Sequence, residues 1–378
     1  MDRLSEELLD HIVSYVLAPQ INNRPIGHAD ILCVSKVSRQ LHRISQPHLY
    51  RAINLKGMSF GETPGQIMKL LGTRPQLRHH IKSVNLHVHY PDAVSELTLW
   101  LSQLPNLRTI GLQLNWTQLP DLTPFLKLPG ITTLRMSGVQ FQNTEFTEDF
   151  VMDVINDTIT TLDISVADPE DPWENCNDIV VFAQTFTNLQ HLSLHSSDEG
   201  ESRCVLNAPA FRCLVHSFRV ALQTTLRKLS YRYNDATHGL DHYGFEDISN
   251  RYDARRTLKE SQLEHLTIET ECLLRPASKG PKSLRINPSC LPATLRTLYL
   301  RHHVSHDRLE SDRENLMYSE EAQYLAQILS IVGHKSRFPN MIKVTLAVFL
   351  PIRFGEVASR VMKKHTRHVQ VPLDVVFV

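Results

Sequence analysis

The apolar positions of this chain follow two different rhythms, one helical over the first fifty residues and one strand-like after them. Leu8, Ile12 and Val16, with Leu9, Val13 and Leu17 one step behind, recur at helical spacing and predict an amphipathic helix whose stripe is wide enough to touch two surfaces. Ser5 is placed as its N-cap, Glu6 and Glu7 sit in the first turn where the helix dipole favours carboxylates, and Pro19 stops it. A second helix is predicted after Asp30, with Val34, Val37, Leu41 and Ile44 along one side and Pro47 closing it. A unit of this size buries too little of its own surface to stand alone, so part of that apolar face needs another partner.

Beyond residue 50 a single phrase recurs: hydrophobic, two residues, hydrophobic, one residue, hydrophobic. It is read as Ile81-Val84-Leu86, Leu107-Ile110-Leu112, Ile131-Leu134-Met136, Ile159-Leu162-Ile164, Leu189-Leu192-Leu194, Leu226-Leu229-Tyr231, Leu263-Leu266-Ile268, Leu295-Leu298-Leu300 and Met341-Val344-Leu346. The central residues of the nine phrases are separated by 26, 24, 28, 30, 37, 37, 32 and 46 positions. That period resembles the leucine-rich repeat, lengthened by insertions near 167–178, 234–253 and 302–321. Helical spacing between the phrases predicts helices over 93–104, 148–155, 178–186, 210–222 and 319–331. Alternating strand and helix imply an α/β solenoid, with parallel strands on the concave face and helices on the convex one. The residues 355–366 and the terminal VPLDVVFV are expected to close its far end.

Strand alternation assigns a solvent-facing set, because residues on either side of each central hydrophobic point away from the core. It includes Arg135, Asp163, His191, His195, Arg232, Tyr299 and Arg301 as candidate target contacts, together with Gly111, Ser165, Ser230, Glu269 and Ala347. The surface is polar and mixed in charge, and its basic residues from Lys228 to Lys343 favour an acidic partner. Trp173 and Tyr243, on two of the insertions, are further candidates because aromatic side chains dominate interface energetics.

The opening residues resemble the F-box, the adaptor-binding motif of Skp–cullin–F-box ubiquitin ligases. Leu4, Glu7, Leu8, Leu9, Ile12 and Val16 match its first half, and Val34, Val37, Ser38, Arg39, Leu41 and Ile44 its second. Ser5 stands where the family carries Pro, and no Trp follows Arg39. The resemblance implies a helical F-box over 1–50, docking a Skp-type adaptor and through it a cullin by way of Leu4, Leu8, Leu9, Ile12, Val16, Val34, Val37 and Leu41. The repeats over 51–378 would then hold a target protein. The same helices also fit a generic cap on a repeat domain.

Composition narrows the remaining classes. Forty Lys and Arg balance forty Asp and Glu, giving a formal net charge of +0 and no bulk pull toward nucleic acid or a membrane surface. No run is long enough to span a bilayer, and Met1 leads into the first helix without a charged and apolar leader, so a cytoplasmic and/or nuclear, non-secreted protein is expected. Two matches to the N-glycosylation pattern, at Asn115 and Asn156, then carry little meaning. The six Cys, at 33, 176, 204, 213, 272 and 290, show no zinc or disulfide spacing. The 20 His include His87 with His89, and His302, His303 and His306, yet a metal site needs three or four converging ligands. No nucleophile elbow, phosphate loop or zinc-protease motif is present. The expectation is a non-catalytic substrate receptor without cofactor, working by holding a target near a reactive thioester. A repeat scaffold without any ligase role is the alternative.

Overall fold

A computed structural model describes residues 5–16, 28–55, 69, 71–88, 93–114, 122–139, 155–166, 179, 181–196, 208–232, 254–275, 285–286, 290–303, 325–326, 328–330, 332–349 and 369–377. The chain divides into two compact units, Met1–Ser137 and Gly138–Val378.

The first unit opens with helices α1 (Glu6–Val16), α2 (His28–Ser35) and α3 (Arg39–Leu49). Ser5 does cap α1, its Oγ accepting the Leu8 N–H at 3.3 Å, which is the work a Pro at this position could not do. The predicted second helix is two helices. The N–H groups of Lys36 and Val37 bond three residues back to Cys33 and Val34, and Ser38 then starts α3 by accepting the Leu41 N–H at 3.1 Å. The local capping geometry of Ser38 wins over the apolar periodicity that runs through it. Pro47 does not close the helix; it lies inside α3, whose C-terminal Tyr50 N–H still reaches the Gln46 carbonyl at 3.1 Å. Both α1 and α2 pack on α3. Two polar ties join α1 to α3, Glu6 with Arg43 and Asp10 with His48, the latter at 2.8 Å.

Four parallel strands follow in chain order, β1 (Ala52–Asn54), β2 (Ser83–Val88), β3 (Thr109–Leu114) and β4 (Thr133–Val139). Between them lie a 3-10 turn at Pro75–His80, helix α4 (Ala93–Leu101) and the short α5 (Thr123–Leu126). Gly130, at a φ of 77°, turns the chain into β4, a conformation that glycine adopts without steric cost.

In the second unit β5 (Thr161–Val166), β6 (His191–Ser196), β7 (Lys228–Arg232) and β8 (His265–Glu269) pair in parallel, again in chain order. An antiparallel ribbon of β9 (Leu274–Arg275) and β10 (Arg285–Ile286) interrupts, and the parallel series resumes with β11 (Thr297–His303), β12 (Lys343–Phe349) and β13 (Leu373–Phe377). Thus the terminal VPLDVVFV run adds one more parallel strand. The helix predicted over 210–222 breaks at Phe218 into α6 (Ala208–Ser217) and α7 (Arg219–Thr224), and α8 (Ala254–Lys259) follows before β8. Residues 181–184 and 328–330 are helical within two other predicted helices, whereas 148–154 and 355–366 lie outside the described residues.

Strand order equal to chain order is the topology of a solenoid-like α/β fold, in which each strand pairs with the next rather than crossing over. All 27 apolar residues of the nine phrases are at most 3% exposed. Equivalent positions stack in register: Val84 beside Ile110 beside Leu134 in the first unit, and Leu162 beside Leu192 beside Leu229 beside Leu266 in the second. Each phrase therefore buries its apolar side chains against its neighbours'.

A repeated hydrogen-bond pattern ties one phrase to the next at the N-terminal ends of the strands. The Lys82 carbonyl accepts from both Arg108 and Thr109 N–H groups at 2.9 and 3.0 Å, and Thr160 does the same for Gln190 and His191 at 2.9 Å each. Gln190 then accepts from Arg227 and Lys228, and Glu264 from Arg296 and Thr297. Asparagine side chains reinforce the pattern, Asn106 donating to the His79 carbonyl at 2.7 Å, Asn188 to Asp157 at 2.9 Å and Asn340 to Ala293 at 3.1 Å.

Candidate functional site

Two surfaces carry the sequence's candidate residues: the outer side of the N-terminal helices and the polar face of the strands.

On the helices, apolar side chains divide into an inner and an outer set. Val13, Ile31 and Ile44 are buried and form the inner one. Leu8 and Ile12, one turn apart on α1, are both 47% exposed, Leu32 is 46% exposed and Val37 72% exposed. Large exposed aliphatic side chains are individually ordinary; here four of them lie within one small helical unit. Of the predicted adaptor contacts, Leu9, Val34 and Leu41 are half-buried, Leu4 lies outside the described residues, and Val16 ends α1. Leu32 was missed by reasoning from periodicity, because it lies off the stripe drawn through Val34 and Val37.

On the strands of the first unit, Arg135 is exposed as expected. Gly111 is buried, contrary to expectation, because the Asn85 side chain on the adjacent strand extends over it. In the second unit His191 is exposed, His195, Asp163 and Arg232 are half-buried, and Tyr299 is 38% exposed. Trp173 and Tyr243 lie outside the described residues. Four further residues expected to face solvent are buried, namely Ser165, Ser230, Glu269 and Ala347. Strand alternation puts them on the polar side, and of the four Glu269 is held there by an ion pair with Arg301 on the next strand.

The polar groups on this face form local pairs. Asp163 Oδ1 lies 3.5 Å from His195 Nδ1, His191 Nδ1 lies 3.4 Å from the Thr161 hydroxyl, and His265 Nδ1 lies 2.7 Å from that of Thr297. Partial burial of its ring, and the charges of Lys228 and His265, hold the His191 pKa below its ordinary value of 6.5. Arg301 reaches the fully buried Glu269 at 3.2 Å and lies over the Phe349 ring at 4.8 Å, so much of its binding capacity is used within the fold. His302 is buried against the Thr270 hydroxyl at 2.7 Å. Among the described residues, no three His, Cys, Asp or Glu side chains are placed to hold a metal ion. No described helix is long and apolar enough to cross a membrane.

An open depression of about 360 Å³ lies at the N-terminal ends of β8, β11 and β12, lined by Gln262, Glu264, Thr294, Arg296, Asn340 and Ile342. Four of its polar side chains are already engaged: Arg296 with Glu264 at 3.5 Å, Thr294 with the Leu263 carbonyl at 2.7 Å, and Asn340 with Ala293.

No protein-family model matches the chain, and no curated protein matches its sequence.

Proposed function

We propose that the chain is the substrate-recognition subunit of a Skp–cullin–F-box ubiquitin ligase. Its N-terminal helices would dock the Skp-type adaptor, and its leucine-rich-repeat-like strands would hold the target protein. The observation that carries the reading is the exposure of Leu8, Ile12 and Val37 at positions that match the F-box pattern, beside the buried Val13, Ile31 and Ile44. One set of apolar side chains builds the helical unit, while the other is left for something outside it. The stack of parallel strands supports the second half of the reading, since such arrays present broad polar faces to partners. The receptor needs no catalytic residue of its own, because holding a target lysine beside the thioester raises its effective concentration.

The test is affinity capture of the full chain with purified adaptor and cullin, with Leu8→Asp and Ile12→Asp as variants. The reading expects both partners to be retained by the parent chain and lost by the variants, at unchanged circular dichroism. Absence of adaptor and cullin from the parent's capture refutes the ligase role, and the chain is then read as a repeat scaffold for other proteins.

A further inference from the structure

The polar face of the second unit has an ordered composition that individual residues do not reveal. Across five neighbouring strands the register aligns Ser193, Ser230, Thr267, Tyr299 and Thr345, a row of hydroxyls of which Ser230 is buried and the other four reach the surface. Aspartates close the row at both ends, Asp163 beside Ser193 and Asp374 beside Thr345. Both are engaged, Asp163 by His195 and Asp374 by Lys343 at 2.6 Å. Between them the flanking rows offer donors. His191, Lys228 and His265 stand side by side on β6, β7 and β8, and Arg232 stands beside His195 on the other side of the hydroxyls.

Lys228 and Arg232 make no ion pair with a described residue, and the Arg232 Nε is buried without a hydrogen-bond acceptor. The nearby buried carboxylate, Glu269, is taken by Arg301. Lys228 beside the two histidines, with Arg232 at the end of its strand, concentrates positive charge, which a carboxylate supplied from outside offsets. The lowered pKa of His191 has the same origin in part, since Lys228 and His265 work against its protonation.

We infer that this strip holds an extended, Asp- or Glu-rich segment of a partner protein, its carboxylates on Lys228, Arg232, His191 and His265 and its length laid along the hydroxyl row. The inference rests on the receptor reading for its biological setting, but its chemistry does not require the adaptor. Adjacent strands are about 4.8 Å apart and same-side residues of an extended peptide about 6.8 Å, so the donors on three strands reach two successive acidic side chains. Carboxylates suit the strip because Lys228 and the histidines provide single donors rather than the dense Arg cluster that grips a phosphate at several oxygens.

The experiment uses the purified full chain alone, without adaptor, and follows fluorescence anisotropy of a labelled Glu-rich peptide at low salt. The probes for comparison are its Gln counterpart and a neutral peptide carrying phosphoserine. Binding of the Glu-rich peptide is expected, with loss of affinity of about ten-fold in Lys228→Glu and a smaller loss in Lys228→Gln. Charge reversal at Lys335, exposed in a turn before β12, is expected to change affinity little. Thermal melting of each variant identifies any that fails to fold, and Lys228→Gln keeps the test in force because its side chain is exposed. The inference is overturned if the Glu-rich peptide does not bind, if only the phosphoserine peptide binds, or if Lys335→Glu weakens binding as much as Lys228→Glu. Adaptor capture failing while the Glu-rich peptide binds refutes the ligase role and leaves the strip intact.

Discussion

The carboxylate of Glu269, wholly excluded from solvent, lies 3.2 Å from the guanidinium of Arg301 on the neighbouring strand. The same guanidinium rests 4.8 Å above the ring of Phe349, on the strand after that. Three consecutive strands of the second unit are thereby joined through one side chain. Removing the cation alone takes compensation from a buried charge, which typically costs about 3–5 kcal/mol. Arg301→Met is therefore expected to lower the stability of the second unit by that order in urea denaturation. Arg301→Lys loses the planar fork and the ring stacking, so it falls between parent and Met variant. The double variant Glu269→Leu, Arg301→Met recovers most of the loss, because neither buried charge remains. If the single Met variant is as stable as the parent, the pair has no structural role.

The asparagines at the strand starts make a separate prediction. Asn188 donates to the Asp157 carbonyl at 2.9 Å and Asn106 to the His79 carbonyl at 2.7 Å, each tying its phrase to the preceding one. Both side chains are exposed, so water competes for the same carbonyls. Asn188→Ala and Asn106→Ala are each expected to cost about 1 kcal/mol of unfolding free energy, with amide exchange accelerated first at the neighbouring strand start. Unchanged exchange at Gln190 and His191 in Asn188→Ala would remove the clamp from the account of the fold.

These clamps also show what the residue pattern could convey. The nine phrases were legible because burial there depends on a position's own alternation, and every Leu, Ile, Val, Met and Tyr in them is buried. Glu269 and Gly111 were misjudged because their surroundings are set by Arg301 and Asn85, each one strand away and distant in the chain. The stop between α2 and α3 was hidden for another reason. Val34, Val37 and Leu41 keep a helical rhythm through the turn, and only the capping of Ser38 breaks it. Leu8 and Ile12, by contrast, were readable as a face too wide for one neighbour, and they lie at the surface.

Adjacent residues on α1 separate folding from docking. Val13 is 3% exposed and Ile12 47% exposed, so an identical substitution meets different surroundings. Val13→Asp buries a carboxylate among apolar groups and is expected to cost several kcal/mol, about 3 or more, with loss of helical signal from the first unit. Ile12→Asp is expected to stay within about 0.5 kcal/mol of the parent. Limited proteolysis of the two variants checks this: rapid cleavage near α1 in Val13→Asp alone is the expected pattern. Equal protection of both would mean that α1 contributes no inner face.

His191 supplies a pH dependence whose sign is fixed by its environment. Partial burial of the ring comes first, then the charges of Lys228 and His265, and together they keep its folded pKa below 6.5. Thr161 faces it from β5 with a hydroxyl at 3.4 Å, which adds no charge. The stability contributed is fully present above the unfolded pKa of about 6.5 and is lost as pH falls from there through the folded value, because the unfolded chain takes up the proton first. Lys228→Gln removes one of the two charges but leaves the burial, so the His191 pKa should rise yet remain under its ordinary value. Titration of the His191 ring resonance by NMR in parent and variant checks this directly. An unmoved pKa would mean that Lys228 exerts no field at the ring, and with it the electrostatic case for an acidic segment on this strip would fail.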